Sequence, residues 1–451
     1  MLAIKMKGLE AAKVKSDNKL LKAGIWAYLL LLIFEGALRK WFLPSLAAPL
    51  LIIRDPIALW IIFNAIQKGM FPKSTFVFWM VFVGISSLLT ALFFGHGNIK
   101  VAMFGARVLL IHFPLAFAIG NILKRKDVIY VGKVLVYFSI PMTVLIGLQF
   151  SSPQTAWVNR GLGGVIEEVG FQGALGHFRP SATFSFITGT YLFYGLVASY
   201  IFYFWLNEGL INKLVLTGAT VALLAAIPLS ISRTLFFEIG LSVVFLVLGA
   251  SIKTKYFGKM VMFMVGGVIL LIILSFTPYF QHAIETFTTR FTDASTQEGG
   301  VKGTLGDRFL GGLVSAISSS GRLPFFGYGI GMGTNVGSQL LSGTRIFLLH
   351  EEEWGRIIDE QGQLLGFLVV FMRIMLTYRL SIKSYQRLLQ GDMLPWMLLS
   401  FGFLAILQGN WSQPTSLGFC TLIAGLIIGV LNEPLQKARS KKAFPATVTN
   451  S

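Results

Sequence analysis

Charge is what this sequence has least of. Only 13% of its 451 residues are Asp, Glu, Lys or Arg, against roughly 25% in soluble domains, while 54% are hydrophobic. A water-soluble fold could not hide so much apolar surface, so a soluble globular enzyme is excluded. Cysteine is almost missing as well. The single Cys420 sits in an apolar run near the C-terminus, which excludes an intrachain disulfide framework and a cysteine-rich metal site. The chain has 5 histidines, and none joins His350 with a second His or a carboxylate at metal-ligand spacing in a recognisable motif. The glycines after Pro324 lack both the lysine of a P-loop and the strand context of a dinucleotide fingerprint. No repeat of 20 to 50 residues stands out, and no two halves with interrupted helices mark a transporter.

What the chain does have is apolar runs of about 18 to 24 residues, the length that spans a hydrocarbon core of roughly 30 Å as a helix. They lie near 23–43, 46–66, 74–94, 99–123, 128–150, 183–206, 212–230, 232–250, 259–280, 361–380, 393–409 and 414–432. The first follows a tail rich in lysine, 1–22, as a secretory signal would. It is nevertheless too long for a signal's apolar region, contains Glu35 and ends at Arg39 and Lys40, so it reads as an uncleaved anchor. With that tail inside, the inner connections carry Lys68 and Lys73, Lys124 to Lys126, Lys213, Lys253 to Lys259, and Arg379 to Arg387; the basic tail 433–451 also falls inside. This is the positive-inside bias. It makes both ends cytoplasmic and turns the long connections 151–182 and 281–360 outward. The formal charge of +18 is thus spread over short loops and tails and forms no nucleic-acid patch. The expectation is an all-α integral membrane protein of about twelve transmembrane helices. Spans before and after the large outer loop occupy 23–280 and 361–432, and the loop carries short helices along the membrane surface.

The two basic residue types separate across this topology. About ten of sixteen arginines fall on the outer side, but only about three of twenty-two lysines. Guanidinium is planar, permanently charged and bidentate toward phosphate, so the bias points to a phosphate-bearing ligand outside; snorkelling toward lipid headgroups is the plainer alternative. Arg160, Arg179, Arg233, Arg290, Arg308 and Arg356 belong to this outer set, with Arg322 and Arg345. Arg233 lies in "SISRT", a turn between two apolar helices where a charge is costly unless paired. In "LLHEEEWGRIIDEQG" helical spacing sets Glu353, Arg356 and Glu360 on one face and His350 and Trp354 on another. A histidine there has the chemistry of a general base toward a sugar hydroxyl, or simply solvates a helix end. Glu35, Arg39, Arg54 and Asp55 form a charged set in the first two spans, read as mutual neutralisation.

Several passages, "FEGALRKWFLP", "GHFRPSATFSFITGTYLFYGL", "PLSISRTLFFEIGL", "RLPFFGYGIGMG", "HEEEWGRIIDEQGQLLG" and "GNWSQPTSLGF", make the chain resemble the O-antigen ligase and O-antigen polymerase superfamily of bacterial inner-membrane glycan transferases. They extend over most of its length. The resemblance implies an all-helical, GT-C-like fold with a large periplasmic loop. It implies transfer of a glycan from an undecaprenyl-diphosphate carrier to a hydroxyl of a glycan, lipid or protein acceptor, without metal or other cofactor. By the same resemblance His350 is the base, with Glu353 its rival, and Arg179 and Arg233 hold the diphosphate together with Arg308 and Arg356. Membrane lipids and proteins of polysaccharide assembly and export are the implied partners. A flippase for lipid-linked glycans is the competing reading.

Overall fold

A computed structural model of the chain describes residues 2–165, 172–297, 312–344 and 348–434. Its helices are α1 (Leu2–Ala37), α2 (Ala47–Leu50), α3 (Arg54–Gln67), α4 (Thr75–Phe93), α5 (Ile99–Arg107), α6 (Phe113–Ile122), α7 (Arg125–Ser151), α8 (Ile187–Leu206) and α9 (Lys213–Leu229). They continue as α10 (Arg233–Ile252), α11 (Phe257–Ser275), α12 (Pro278–Gln297), α13 (Gly312–Ser319), α14 (Asn335–Ser342), α15 (Glu353–Leu389), α16 (Leu394–Gln408) and α17 (Pro414–Asn432). Among the described residues the only β pairing is an isolated bridge between Gln172 and Phe178. The protein is all-helical, and among the described residues 10 helical stretches are long and apolar enough to cross a membrane. The two other segments expected to span, Lys213–Leu229 and Leu394–Gln408, are shorter apolar helices.

Local chemistry sets several boundaries. Asn98, Asn212, Ser232 and Thr334 cap α5, α9, α10 and α14 by accepting from backbone N–H groups of the first turn. Asp127 returns a bond to the Lys124 N–H at 2.9 Å at the start of α7. The run expected over 259–280 ends at Ser275, because Pro278 starts α12. Two π turns, Leu38–Phe42 after α1 and Val108–His112 between α5 and α6, interrupt otherwise continuous spans. Each coincides with a buried ionisable side chain, Arg39 and Lys40 in the first and His112 in the second.

The centre of the bundle is α6, α8 and α17. Along α17 and α6 small residues let the backbones close: an added Cβ on Gly120 or Gly425 would lie 2.4 Å or 2.6 Å from Ile428 or Ile119. At the opposite extreme, α11 buries only Met260 and exposes apolar side chains all round, as a helix facing lipid does. Inside the region expected to be a loop of short helices, α12 is a full 20-residue helix. It lays Phe287 and Phe291 on Phe236 and Phe237 of α10.

Charged pairs buried in the bundle tie the spans together. Glu35 is shared by Arg39 at 3.2 Å and Arg54 at 3.1 Å. Asp55 turns instead to Arg107 at 2.8 Å and to Nε2 of His112 at 2.9 Å, and His112 Nδ1 meets the Tyr28 hydroxyl at 3.0 Å. The neutralisation expected of the four charges in the first two spans therefore draws in a third span. Removing Glu35 would leave Arg54 buried without its carboxylate, which costs about 3 to 5 kcal/mol.

Candidate functional site

One cavity, of about 250 Å³, opens between the end of α1, the end of α7 and the start of α8. Lys40, Arg160 and Arg179 line it, and none of its lining residues is Asp or Glu. Lys40 is buried, and its ammonium donates only to neutral oxygens, Ser181 Oγ at 3.1 Å and the Ala182 carbonyl at 2.7 Å. The Nε of Arg160 is buried with no hydrogen-bond acceptor among the described residues. Among the described residues, three cations converge on this cavity beside no lining carboxylate, a chemistry suited to an anion.

The loop that forms this cavity is held in a strained course. Leu175 and Ala182 have φ near +50°, as does Ile231 in the neighbouring turn between α9 and α10, a conformation that costs non-glycine residues about 1 to 3 kcal/mol each. Gln149 offsets it at Ala182 by accepting from the Ala182 N–H at 2.7 Å. The segment then passes so close to α1 that a Cβ at Gly36 would lie 2.3 Å from the Ser185 nitrogen. The glycine of "FEGALRK" is thus what admits the loop. His177 stacks on Phe150 with ring centroids 4.4 Å apart, and its Nε2 lies 2.9 Å from Nε2 of His282 on α12. Arg233 opens α10 two residues after Ile231, whose side chain supports Gly173 of the same loop. Arg233 borders this structure but does not line the cavity.

The second centre surrounds the start of α15. Nδ1 of His350 lies 2.5 Å from Oδ2 of Asp359, which also accepts from the His350 backbone N–H at 3.1 Å. Asp359 is buried, whereas the His350 side chain is 48% exposed. A carboxylate facing Nδ1 fixes the proton on that nitrogen and leaves Nε2 as the basic, outward-facing atom.

Glu353, Arg356, Glu360 and Arg373 form a buried chain beside it. One oxygen of Glu353 accepts from Arg373 at 2.6 Å and from the Trp411 N–H at 3.2 Å; the other accepts from Arg356 at 2.9 Å. Arg356 reaches Glu360 at 2.6 Å. The space these residues enclose, about 20 Å³, admits a water and nothing larger. Glu353 and Arg356 are thus each committed to two partners of opposite charge. Neither they nor His350 line the cavity of Arg179. Arg308 and Arg345 lie outside the described residues.

α15 is not the simple span expected to open at 361. It breaks at Gly362, with φ 72° and ψ −176°. The glycine-rich stretch after Pro324 docks there: the N–H groups of Tyr328 and Gly329 donate to the carbonyls of Asp359 and Glu360 at 2.8 and 2.9 Å, and Gly333 donates to the Glu360 carboxylate at 2.8 Å. A glycine run that lacks the marks of a phosphate cradle in sequence is a strap that positions Asp359 and Glu360.

Sequence reasoning missed Asp359, Arg373 and the cavity role of Lys40. Nine residues separate His350 from Asp359, which matches no helical face, since His350 lies before the helix. The one legible signal was an acidic residue in a run that otherwise turns apolar. No protein-family model matches the chain, and no curated protein matches it in sequence.

Proposed function

We propose that this chain is a multi-pass inner-membrane glycosyltransferase of the O-antigen ligase and polymerase type. It has twelve spans, cytoplasmic termini and a periplasmic active site, and it moves a glycan from undecaprenyl diphosphate to an acceptor hydroxyl. The observation that carries the reading is the His350–Asp359 pair, because a histidine oriented by a buried carboxylate and open on its other nitrogen is equipped for proton transfer.

In the proposed reaction Nε2 of His350 takes the proton of the acceptor hydroxyl as its oxygen bonds to the anomeric carbon. The bond from that carbon to the diphosphate oxygen breaks, its electron pair leaves on the diphosphate, and the configuration inverts. Asp359 stabilises the imidazolium. Lys40, Arg179 and Arg233 offset the charge growing on the leaving group, which requires the bound donor to bridge their cavity and the His350 centre. The engaged state of Glu353 and Arg356 supports His350 over Glu353 as the base, and gives the pair the task of positioning Asp359 and Glu360.

Glycan transfer from purified undecaprenyl-diphosphate oligosaccharide in liposomes, with chelator present, tests this. Product from wild type, lost by at least about 10²-fold in His350→Ala and Arg233→Ala proteins that still fold, is the expected result. One feature favours the flippase reading instead: a helix broken at Gly362 beside four buried charges is the construction transporters use at their substrate sites. Movement of the donor between leaflets without any product, in the same liposomes, would establish that reading and remove the transferase.

A further inference from the structure

Beside the cation-lined cavity lies a feature that phosphate binding does not use. Trp157 begins a short 3-10 turn, Trp157–Asn159, and is 50% exposed although it is a large aromatic. Its inner face stacks on Trp41, with ring centroids 5.2 Å apart and planes at 26°, and Lys40 Nζ lies 4.6 Å from the centre of the Trp41 ring. The turn is rigid: Asn159 Nδ2 donates to the carbonyls of Gln149, Ser152 and Pro153, each at 3.1 Å, and Gln149 Nε2 donates to Val158 O at 2.9 Å. Three residues beyond Trp157, Arg160 reaches the cavity wall, its Nε without an acceptor among the described residues.

An indole backed by a second indole, held on a pinned turn and open on its other face, is a preorganised platform. The C–H groups of a pyranose ring carry partial positive charge and pack on the negative face of an aromatic ring. A guanidinium three residues away would meet an anionic substituent on that same ring. The wall of the adjoining cavity that Arg160 shares is polar, with Asn159, Gln154 and Ser152, as hydroxyl-rich ligands require.

We propose that Trp157 and Arg160 form a saccharide subsite, in which Trp157 stacks a sugar ring and Arg160 pairs with a carboxylate or phosphate substituent on it. The ligand class is an acidic glycan, and the subsite sits next to the proposed diphosphate seat. The placement in a reaction rests on the transferase reading; the binding does not.

The test uses purified full-length protein in nanodiscs and requires no turnover. Oligogalacturonate is the acidic probe, a neutral glucan oligosaccharide its control, and inorganic pyrophosphate the phosphate control. Trp157→Phe isolates the signal of this residue among the 9 tryptophans. The expected result is a saturable fluorescence change with oligogalacturonate that Trp157→Phe removes. By calorimetry, Trp157→Ala should weaken binding by about tenfold, Trp157→Phe by no more than about threefold, and Arg160→Gln should remove the preference for the acidic over the neutral probe. Equal affinity for the two saccharides in wild type would overturn the acidic assignment. Pyrophosphate displacing the saccharide would overturn the separate subsite. Quenching of Trp157 by brominated lipid, with no response to either saccharide, would make it an interfacial anchor. Absence of glycan transfer would instead count against the transferase and leave the binding result standing.

Discussion

Asp359 does two things for His350 at once. Its Oδ2 accepts from the backbone N–H at 3.1 Å and faces Nδ1 at 2.5 Å, so the carboxylate sets both the position and the tautomer of the ring. Asn at this site would keep the shape and lose the charge that stabilises an imidazolium. Asp359→Asn is therefore expected to lower kcat for glycan transfer by about 10² or more while the KM for donor changes little. Steady-state kinetics in liposomes would reveal this, and a variant whose kcat is unaffected would remove Asp359 from the mechanism. Lys40 carries the second lesson at this scale. From its place at the end of the first run it read as a flank of a membrane anchor, yet its side chain folds inward to neutral oxygens and into the cavity. The side of a helix end on which a charge lies depends on what packs against it, and that is not a local property.

α15 illustrates how an element departs from its pattern. Its apolar periodicity, with a glycine that any helix tolerates, reads as one span with a polar lead-in. The structure bends it at Gly362 because the strap after Pro324 occupies the space a side chain would need: an added Cβ would lie 2.1 Å from the Phe325 carbonyl, at a φ of 72°. Gly362→Ala is expected to cost about 2 kcal/mol or more, since both strain and steric overlap oppose it. Gly240 in α10 has nothing within 4 Å of the added Cβ. Gly240→Ala is therefore expected to be neutral or to gain up to about 1 kcal/mol. Thermal melting of both variants in the same detergent checks the pair, and equal melting temperatures would mean the strap does not hold the break. The strap's docking partners, the Asp359 and Glu360 carbonyls and the Glu360 carboxylate, lie 27 or more positions away, so no reading of residues 324–334 alone could have found them.

At the scale of the molecule, the orientation proposed from the basic loops makes a direct prediction. The native Cys420 is fully buried, so the wild type is silent to a membrane-impermeant maleimide. Ser342→Cys at the end of α14 and Lys213→Cys at the start of α9 both stand at exposed positions. In intact cells with a permeabilised outer membrane the first is expected to label and the second only after lysis. Labelling in the reverse order would invert the topology and remove the active site from the periplasm. The sequence by itself determined that the chain is helical and membrane-embedded and roughly where each apolar helix lies. Those properties follow from the cost of unpaired backbone groups in hydrocarbon and from the length of each apolar run. Tertiary structure alone decided which charges meet: Asp55 with Arg107, Glu353 with Arg373, His350 with Asp359, and Lys40, Arg160 and Arg179 around one cavity. In a medium that cannot solvate them, buried charges take partners wherever the packing of distant spans supplies them, and sequence spacing does not record that packing.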